Sequence, residues 1–131
     1  MRFTQDQIQR MAQNYAIAWS SGNPPQVAEF YTAEGEISIN GGEPVKGTAA
    51  LIDMVAGFYK AFPDLEVRCD LMRLAGLHGL FAWTLEGHHA DTGNHVQVTG
   101  WEEWTLSDEM KVTKSLGWYD EDDYQRQIDG G

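Results

Sequence analysis

Residues 80–106 read LFAWTLEGHHADTGNHVQVTGWEEWTL. Two runs in which apolar and polar residues alternate flank a turn sequence, DTGN, at 91–94. Alternation of this kind is typical of half-buried β-strands, and a short turn joins two such strands into an antiparallel hairpin. We therefore predict strands over Leu80–His89 and His95–Leu106, followed after a second turn by a third strand over Lys111–Tyr119.

The register of these strands predicts which side chains face the core. Pairing across the first turn puts Trp83 opposite Glu102, and pairing across the second puts Leu106 opposite Val112. Side chains alternate between the two faces of a strand, so this register separates an apolar face from a mostly polar one that also carries Trp101. The predicted core face consists of Phe81, Trp83, Leu85, Val96, Val98, Glu102, Trp104, Leu106, Val112, Leu116 and Trp118.

Helices dominate the first half of the chain. Thr4 and Gln7 form a capping box, and the stripe that follows has helical spacing at Ile8, Met11, Tyr15 and Trp19. We predict a second, short helix from Pro24 that includes Tyr31, a brief strand at Glu36–Ile39, and a third helix over 48–62 before Pro63. A fourth strand is predicted from Leu65 to Met72 and a last helix after Asp120. Helices followed by an antiparallel meander predict an α+β fold in one domain, residues 1–131.

Composition excludes several classes of protein. The 131 residues carry 9 Lys and Arg against 20 Asp and Glu, a net charge of −11, which repels nucleic acid and anionic lipid. No apolar stretch approaches the roughly 18 residues of a membrane span. The single cysteine, Cys69, cannot form an internal disulfide. We expect a cytoplasmic protein with neither nucleic-acid nor membrane partners.

A family resemblance covers nearly the whole chain. The chain resembles the SnoaL-like polyketide cyclases of the nuclear transport factor 2-like superfamily. The fragments that carry the resemblance are WSSGN at 19–23, FPDL at 62–65, WTLEGHH at 83–89, TG at 92–93, GWEEW at 100–104, GWYD at 117–120, and Tyr124 with RQI at 126–128.

The resemblance implies a fold and a range of activities. It implies a cone of three helices that closes on a curved, mostly antiparallel sheet around a pocket, commonly in a homodimer. Members include cofactor-independent cyclases, isomerases, epoxide hydrolases and dehydratases. The acidic acid/base position of the cyclases falls on Glu102, with Glu in place of Asp, and the histidine of a Gly-x-His element falls on His89. The loop between His89 and Thr92 is shorter than in the family.

Glu102 is the strongest candidate for chemistry. A carboxylate on an apolar sheet face must raise its pKa or find a partner, because an unpaired buried charge costs several kcal/mol. A raised pKa suits a general acid/base that works near neutral pH. The alternative is a structural ion pair with Lys114, predicted diagonally across the neighbouring strand.

The other candidates are a histidine and a set of aromatic residues. His89 is expected at the pocket rim, too far along its strand for a direct dyad with Glu102. Zinc bound by His88, His89 and His95 is disfavoured because adjacent histidines on a strand diverge, so no metal or cofactor is expected. The predicted pocket lining, against the alternative of plain core packing, is Tyr15, Trp19, Tyr59, Trp83, Trp104, Lys114 and Trp118.

Three functions remain open at this point. The favoured one is a cofactor-independent enzyme that moves a proton on a small apolar, even polycyclic, substrate with Glu102 as acid/base. The others are a ligand-binding domain without turnover and a dimerising scaffold in which Glu102 pairs with Lys114. The exposed position predicted for Trp101 indicates a homodimer interface.

Overall fold

The structure is a computed structural model and describes residues 3–131. Its helices are α1 (Gln5–Ser20), α2 (Pro24–Ala28), α3 (Thr48–Ala61) and α4 (Glu121–Ile128). Its strands are β1 (Tyr31–Ile39), β2 (Val45–Lys46), β3 (Glu66–Ala75), β4 (His78–His88), β5 (His95–Leu106) and β6 (Val112–Tyr119). In this part of the chain no helix is both long and apolar enough to cross a membrane.

Local sequence signals fix where the helices begin and end. The capping box of α1 is formed, with Thr4 Oγ1 accepting from Gln7 N at 3.1 Å and Gln7 Oε1 accepting from Thr4 N at 2.8 Å. α3 ends at Ala61 with Phe62 as its C-cap, one residue before the end predicted from the following proline. Asp120 caps α4 by accepting from Asp123 N at 3.0 Å.

One mixed sheet receives the helices. The strand order is β2-β1-β6-β5-β4-β3, and every pair is antiparallel except β1 with β6. The core lies between the helices and one face of this sheet, where Ile8, Phe81 and Val96 are fully buried. The predicted α+β class is confirmed.

β1 is longer than predicted. It begins at Tyr31, which we had assigned to the second helix, because Tyr31 pairs with Val112 in the parallel ladder between β1 and β6. Val112 N also donates to Phe30 O at 2.8 Å. A pairing with a strand eighty residues away overrides the local helical pattern, and it brings the Tyr31 side chain into the core.

The β4–β5 register differs from the predicted one by two residues. Trp83 lies opposite Gly100, and Phe81 lies opposite Glu102. A shift by an even number of residues leaves every side chain on its predicted face, because side chains alternate with period two. Glu102 therefore faces the core as predicted, with a different neighbour.

The β5–β6 register corrects the predicted faces of β6. Leu106 lies opposite Val112 as predicted, but a bulge follows, so that Lys114 pairs with Thr105 and Ser115 pairs with Trp104. The extra residue in a bulge reverses the inward and outward positions beyond it. Ser115 is consequently buried in the core, and Lys114 is exposed on the outer face.

Candidate active site

An apolar cavity of about 60 Å³ opens between the helices and the inner face of the sheet. Its walls come from α1, α3, α4 and all strands except β2. Among the residues lining it, Glu102 is the one carboxylic acid, and Lys, Arg and His are absent from that set. The lining consists of Trp19, Ile37, Ile39, Met54, Phe58, Val67, Phe81, Trp83, Leu85, Val98, Glu102, Gly117, Tyr119 and Tyr124.

Hydrogen bonds hold the Glu102 carboxylate by one of its oxygens. Oε1 accepts from Trp104 Nε1 at 2.8 Å and from Ser115 Oγ at 2.8 Å. The Tyr15 hydroxyl lies 3.2 Å from Oε1 and 3.4 Å from Oε2, and it also lies 2.8 Å from the Tyr31 hydroxyl. Both short bonds thus go to Oε1, and of the four distances to the carboxylate only the long one from Tyr15 involves Oε2, which is the oxygen with more capacity for a further partner.

The surroundings of Glu102 shift its pKa upward. Burial is the largest cause, and the hydrogen bonds from Trp104, Ser115 and the two tyrosines oppose it. Burial, followed by the charge of Glu102, raises the pKa of Tyr15 and of Tyr31 well above 10.0. Both tyrosines thus remain neutral donors, and the carboxyl group, whose pKa is raised by burial, is the member of this cluster that can exchange a proton.

The structure divides the predicted aromatic residues into three groups. Trp19 and Trp83 line the cavity, as predicted. Tyr15 and Trp104 are buried core residues that donate hydrogen bonds to Glu102, and they are not among the residues that line the cavity. Tyr59 lies outside the lining, where its hydroxyl donates to Trp19 O at 2.7 Å and supports the end of α1.

Two predicted members of the pocket lie on the other side of the sheet. Lys114 is exposed there, and in the described residues the Glu102 carboxylate has no cationic partner. The predicted ion pair between them is therefore wrong, and the β-bulge is the reason. Trp118 pairs with Trp101, whose side chain is 43% exposed, and so shares the outer face with it.

His89 does not join the cavity. Its ring packs against Phe62 with centroids 5.5 Å apart, and Nδ1 lies 3.4 Å from the Thr92 amide nitrogen. Phe81 is the residue paired with Glu102, and eight residues of strand at ~3.3 Å each separate it from His89. The structure therefore separates the two residues that the resemblance suggested as catalytic.

The neighbouring histidines bind carboxylates on the outer surface. His88 Nδ1 lies 2.7 Å from Asp64 Oδ2, and His95 Nε2 lies 2.6 Å from Glu86 Oε2. In residues 3–131 no three His, Cys, Asp or Glu side chains converge in a way that would hold a metal ion.

Sequence reasoning missed the residues that complete the site. Ser115 was assigned to the outer face because the bulge leaves no clear mark on the alternation, and Tyr31 was assigned to a helix. Met54 and Phe58 line the cavity from α3. Their spacing in the sequence places them on the same side of this helix as the buried Val55, and this pattern could have predicted that they face the sheet.

Comparisons with known proteins give the family and confirm the fold. Residues 12–114 match the SnoaL-like domain family. No curated protein sequence matches the chain.

Many solved structures share the fold, and three of them show how low the sequence identity is. A hypothetical protein from Catenulispora acidiphila with a ketosteroid isomerase-like fold, in complex with trimethylamine, is 17% identical, with 96% of this chain and 95% of that chain covered and a TM-score of 0.84.

Two further structures have names that refer to cyclases. A putative SnoaL-like polyketide cyclase from a Jannaschia species is 18% identical over 96% of this chain and 92% of that one, with a TM-score of 0.81. An epoxide hydrolase/cyclase-like enzyme with a role in pyran ring formation in the polyether salinomycin is 16% identical over 94% and 97%, with a TM-score of 0.81. These likenesses confirm the fold, and the match over residues 12–114 shows that the chain belongs to the SnoaL-like domain family.

Proposed function

We propose that this protein is a cofactor-independent enzyme that moves a proton on a small apolar molecule, with Glu102 as the acid/base. The observation that carries the proposal is a carboxylate at an apolar cavity whose two short hydrogen bonds both go to one oxygen, Oε1. Isomerisation, cyclisation and dehydration all require such a group.

The geometry assigns different tasks to the two oxygens. Trp104 and Ser115 orient the carboxylate through Oε1 and stabilise its negative charge. Oε2 would then take a proton from a carbon acid in the cavity and return it elsewhere on the same molecule. The indole Nε1 of Trp83, a residue of the cavity wall, has no hydrogen-bond partner in the described chain and would be available to a carbonyl oxygen after a small rotation of the ring.

The size of the cavity favours a small substrate or a small reacting group. Pockets that enclose drug-sized ligands measure roughly 300–1,000 Å³, several times the 60 Å³ found here. A polycyclic substrate would therefore place one ring or side group beside Glu102 and leave the rest at the mouth.

Isomerisation of cyclohex-3-enone to cyclohex-2-enone in D₂O would test the proposal. Glu102 Oε2 removes a proton from C2 to give the dienolate, and the protonated carboxyl then delivers a hydron to C4, which is deuterium wherever the carboxyl proton has first exchanged with D₂O. We expect wild-type protein to accelerate the reaction at least a hundredfold over the Glu102→Gln variant, within the range typical of a general base. The Glu103→Gln variant, altered on the outer face, is the matched control. Equal rates for wild type and Glu102→Gln would contradict the assignment of Glu102.

A second candidate function is ligand binding without turnover. The Catenulispora protein was crystallised with a small molecule, trimethylamine, which supports a ligand role for this fold without any chemistry. Binding of a small molecule beside Glu102 with no Glu102-dependent turnover would favour this candidate. The scaffold alternative that relied on a Glu102–Lys114 pair loses its support, because the two side chains lie on opposite faces of the sheet.

We also propose that the protein forms a homodimer through the outer face of the sheet. Leu71, Ala82, Trp101 and Trp118 are consecutive partners across β3, β4, β5 and β6, and they form an apolar row on that face. Trp101 and Leu71 are 43% and 36% exposed. A second copy covering this row would remove both side chains from water.

A further inference from the structure

The Glu102 cavity combines a carboxylate with aromatic walls. Trp19 and Phe58 meet edge to face on the helical side, with ring centroids 5.7 Å apart. On the sheet side, Trp83 packs against Tyr119 at 6.1 Å, and Tyr119 packs against Tyr124 at 5.3 Å. All five rings line the cavity.

Within residues 3–131, the charge of the carboxylate is not balanced by a cationic side chain. Its hydrogen-bond partners Trp104, Ser115 and Tyr15 are neutral donors, and Lys, Arg and His are missing from the lining residues. A buried carboxylate without a counter-charge disfavours anionic ligands, since like charges at short range in a poorly solvated site repel strongly. A ligand that carries a positive charge would supply the missing partner.

Aromatic faces add to this preference for a cation. A cation within about 6 Å of a ring centroid is attracted by the negative face of the ring, and cages of several rings are a known way to bind alkylated ammonium groups. The net charge of −11 also raises the local concentration of cations and lowers that of anions near the protein.

We infer that the cavity binds a small alkylammonium group, with the alkyl substituents against the aromatic walls and the charge at Glu102. An ammonium that retains an N–H donates it to Oε2, the oxygen that accepts neither of the two short hydrogen bonds. The inference rests on the proposed function for the cavity and its carboxylate. It adds a positive charge to the expected ligand, which is then an amine of a few heavy atoms or a larger molecule that ends in an alkylammonium group.

Three probes of similar shape test the inference. Trimethylammonium has a charge and an N–H, tetramethylammonium has a charge alone, and tert-butanol is a neutral molecule with an O–H donor. Titrations followed through the indole N–H signals should shift Trp19 and Trp83, at the cavity, and leave Trp101, on the outer face, in place. We expect trimethylammonium to bind at least tenfold more tightly than tert-butanol, with tetramethylammonium between them.

Charge removal at Glu102 separates this preference from simple apolar binding. In Glu102→Gln the affinities for trimethylammonium and tert-butanol should come within about threefold of each other, whereas Glu103→Gln should keep the tenfold difference. Equal affinities in wild type, or a difference that survives Glu102→Gln, would overturn the inference. Either result leaves the cyclohexenone test of the proposed function standing by itself.

A second measurement uses wild-type protein, in case the variant does not fold. Tetramethylammonium is charged at every pH, so its affinity should fall when acid protonates Glu102, while the affinity for tert-butanol should stay constant. The other titratable groups facing Glu102 are Tyr15 from α1 and Tyr31 from β1, which remain neutral throughout this range because their pKa values are raised well above 10.0. A constant tetramethylammonium affinity down to pH 4 would contradict the role of the carboxylate.

Discussion

Trp104 Nε1 donates a 2.8 Å hydrogen bond to Oε1 of Glu102, two residues earlier on the same face of β5. Residues at this spacing share a face of the strand, so the indole and the carboxylate are brought together by the strand itself. Ser115 reaches the same oxygen from β6 at 2.8 Å. The sheet therefore supplies both short hydrogen bonds, and both go to the same oxygen.

We expect Glu102→Gln to keep or increase stability at pH 8. Burial raises the pKa of Glu102 in the folded state above 4.5, so the folded protein binds more protons than the unfolded chain between those two values. The penalty for burying the charge is absent below the unfolded value, grows as the pH rises from the unfolded to the folded value, and is complete above the folded value. Gln retains the shape and an acceptor for Trp104, so we expect a gain on the order of 1 kcal/mol at pH 8 and less at pH 4.

Denaturant unfolding of wild type and Glu102→Gln at the two pH values would measure this difference. Glu103→Gln is the control for general loss of negative charge, because Glu103 is exposed on the outer face. A loss of more than about 2 kcal/mol for Glu102→Gln at pH 8 would indicate that the carboxylate is a structural element and not a functional one.

Ser115→Ala should destabilise the protein more at pH 8 than at pH 4. The hydroxyl donates to Glu102 Oε1, and hydrogen bonds to charged groups contribute about 2 kcal/mol compared with about 1 kcal/mol for neutral ones. The pKa of Glu102 should rise further in the variant, because one of the bonds that lowers it is lost. Thr113→Ala is the matched control, since Thr113 Oγ1 donates to the neutral Thr105 carbonyl at 2.9 Å. Equal losses at both pH values for Ser115→Ala would contradict the prediction.

The sequence was sufficient to predict the α+β class and the inward position of Glu102. Both follow from periodicity, and the two-residue register error around Trp83 left that periodicity intact. The partners of Glu102 could not be predicted, because a single bulged residue in β6 changes which side chains face the core. It places Ser115 at the core face, where the regular register predicts Lys114. The place of Tyr31 in β1 was missed for a related reason. It depends on a parallel pairing with Val112, and the residues near Tyr31 in the sequence give no sign of that pairing.

Sedimentation should show a dimer of twice the 14.7 kDa chain mass at micromolar concentration. Trp101 lies in the middle of the apolar row on the outer face, and buried tryptophans are frequent hot spots of interfaces. We expect Trp101→Ser to raise the dimer dissociation constant at least tenfold. Ile17→Ser is the control, because Ile17 is 66% exposed on α1, away from this face. A monomeric wild type, or equal effects of the two substitutions, would count against this interface.

Gly100→Ala should be strongly destabilising and should also close part of the cavity. Gly100 lies opposite Trp83, and a Cβ atom there would stand 2.5 Å from Trp83 Cζ2 and would also collide with the Trp118 carbonyl oxygen. The backbone of β6 is held by its ladder, so the Trp83 indole must shift to make room, and we expect a loss of about 3 kcal/mol. Gly57→Ala is the matched control, since a Cβ at this exposed position in α3 would meet nothing within 4 Å and should increase stability by about 0.5–1 kcal/mol.

Thermal unfolding of both variants, with the Trp83 indole signal followed in each, would test the prediction. Similar stabilities for Gly100→Ala and wild type would show that the Trp83 wall is free to move, and the cavity would then admit larger ligands than its present volume allows.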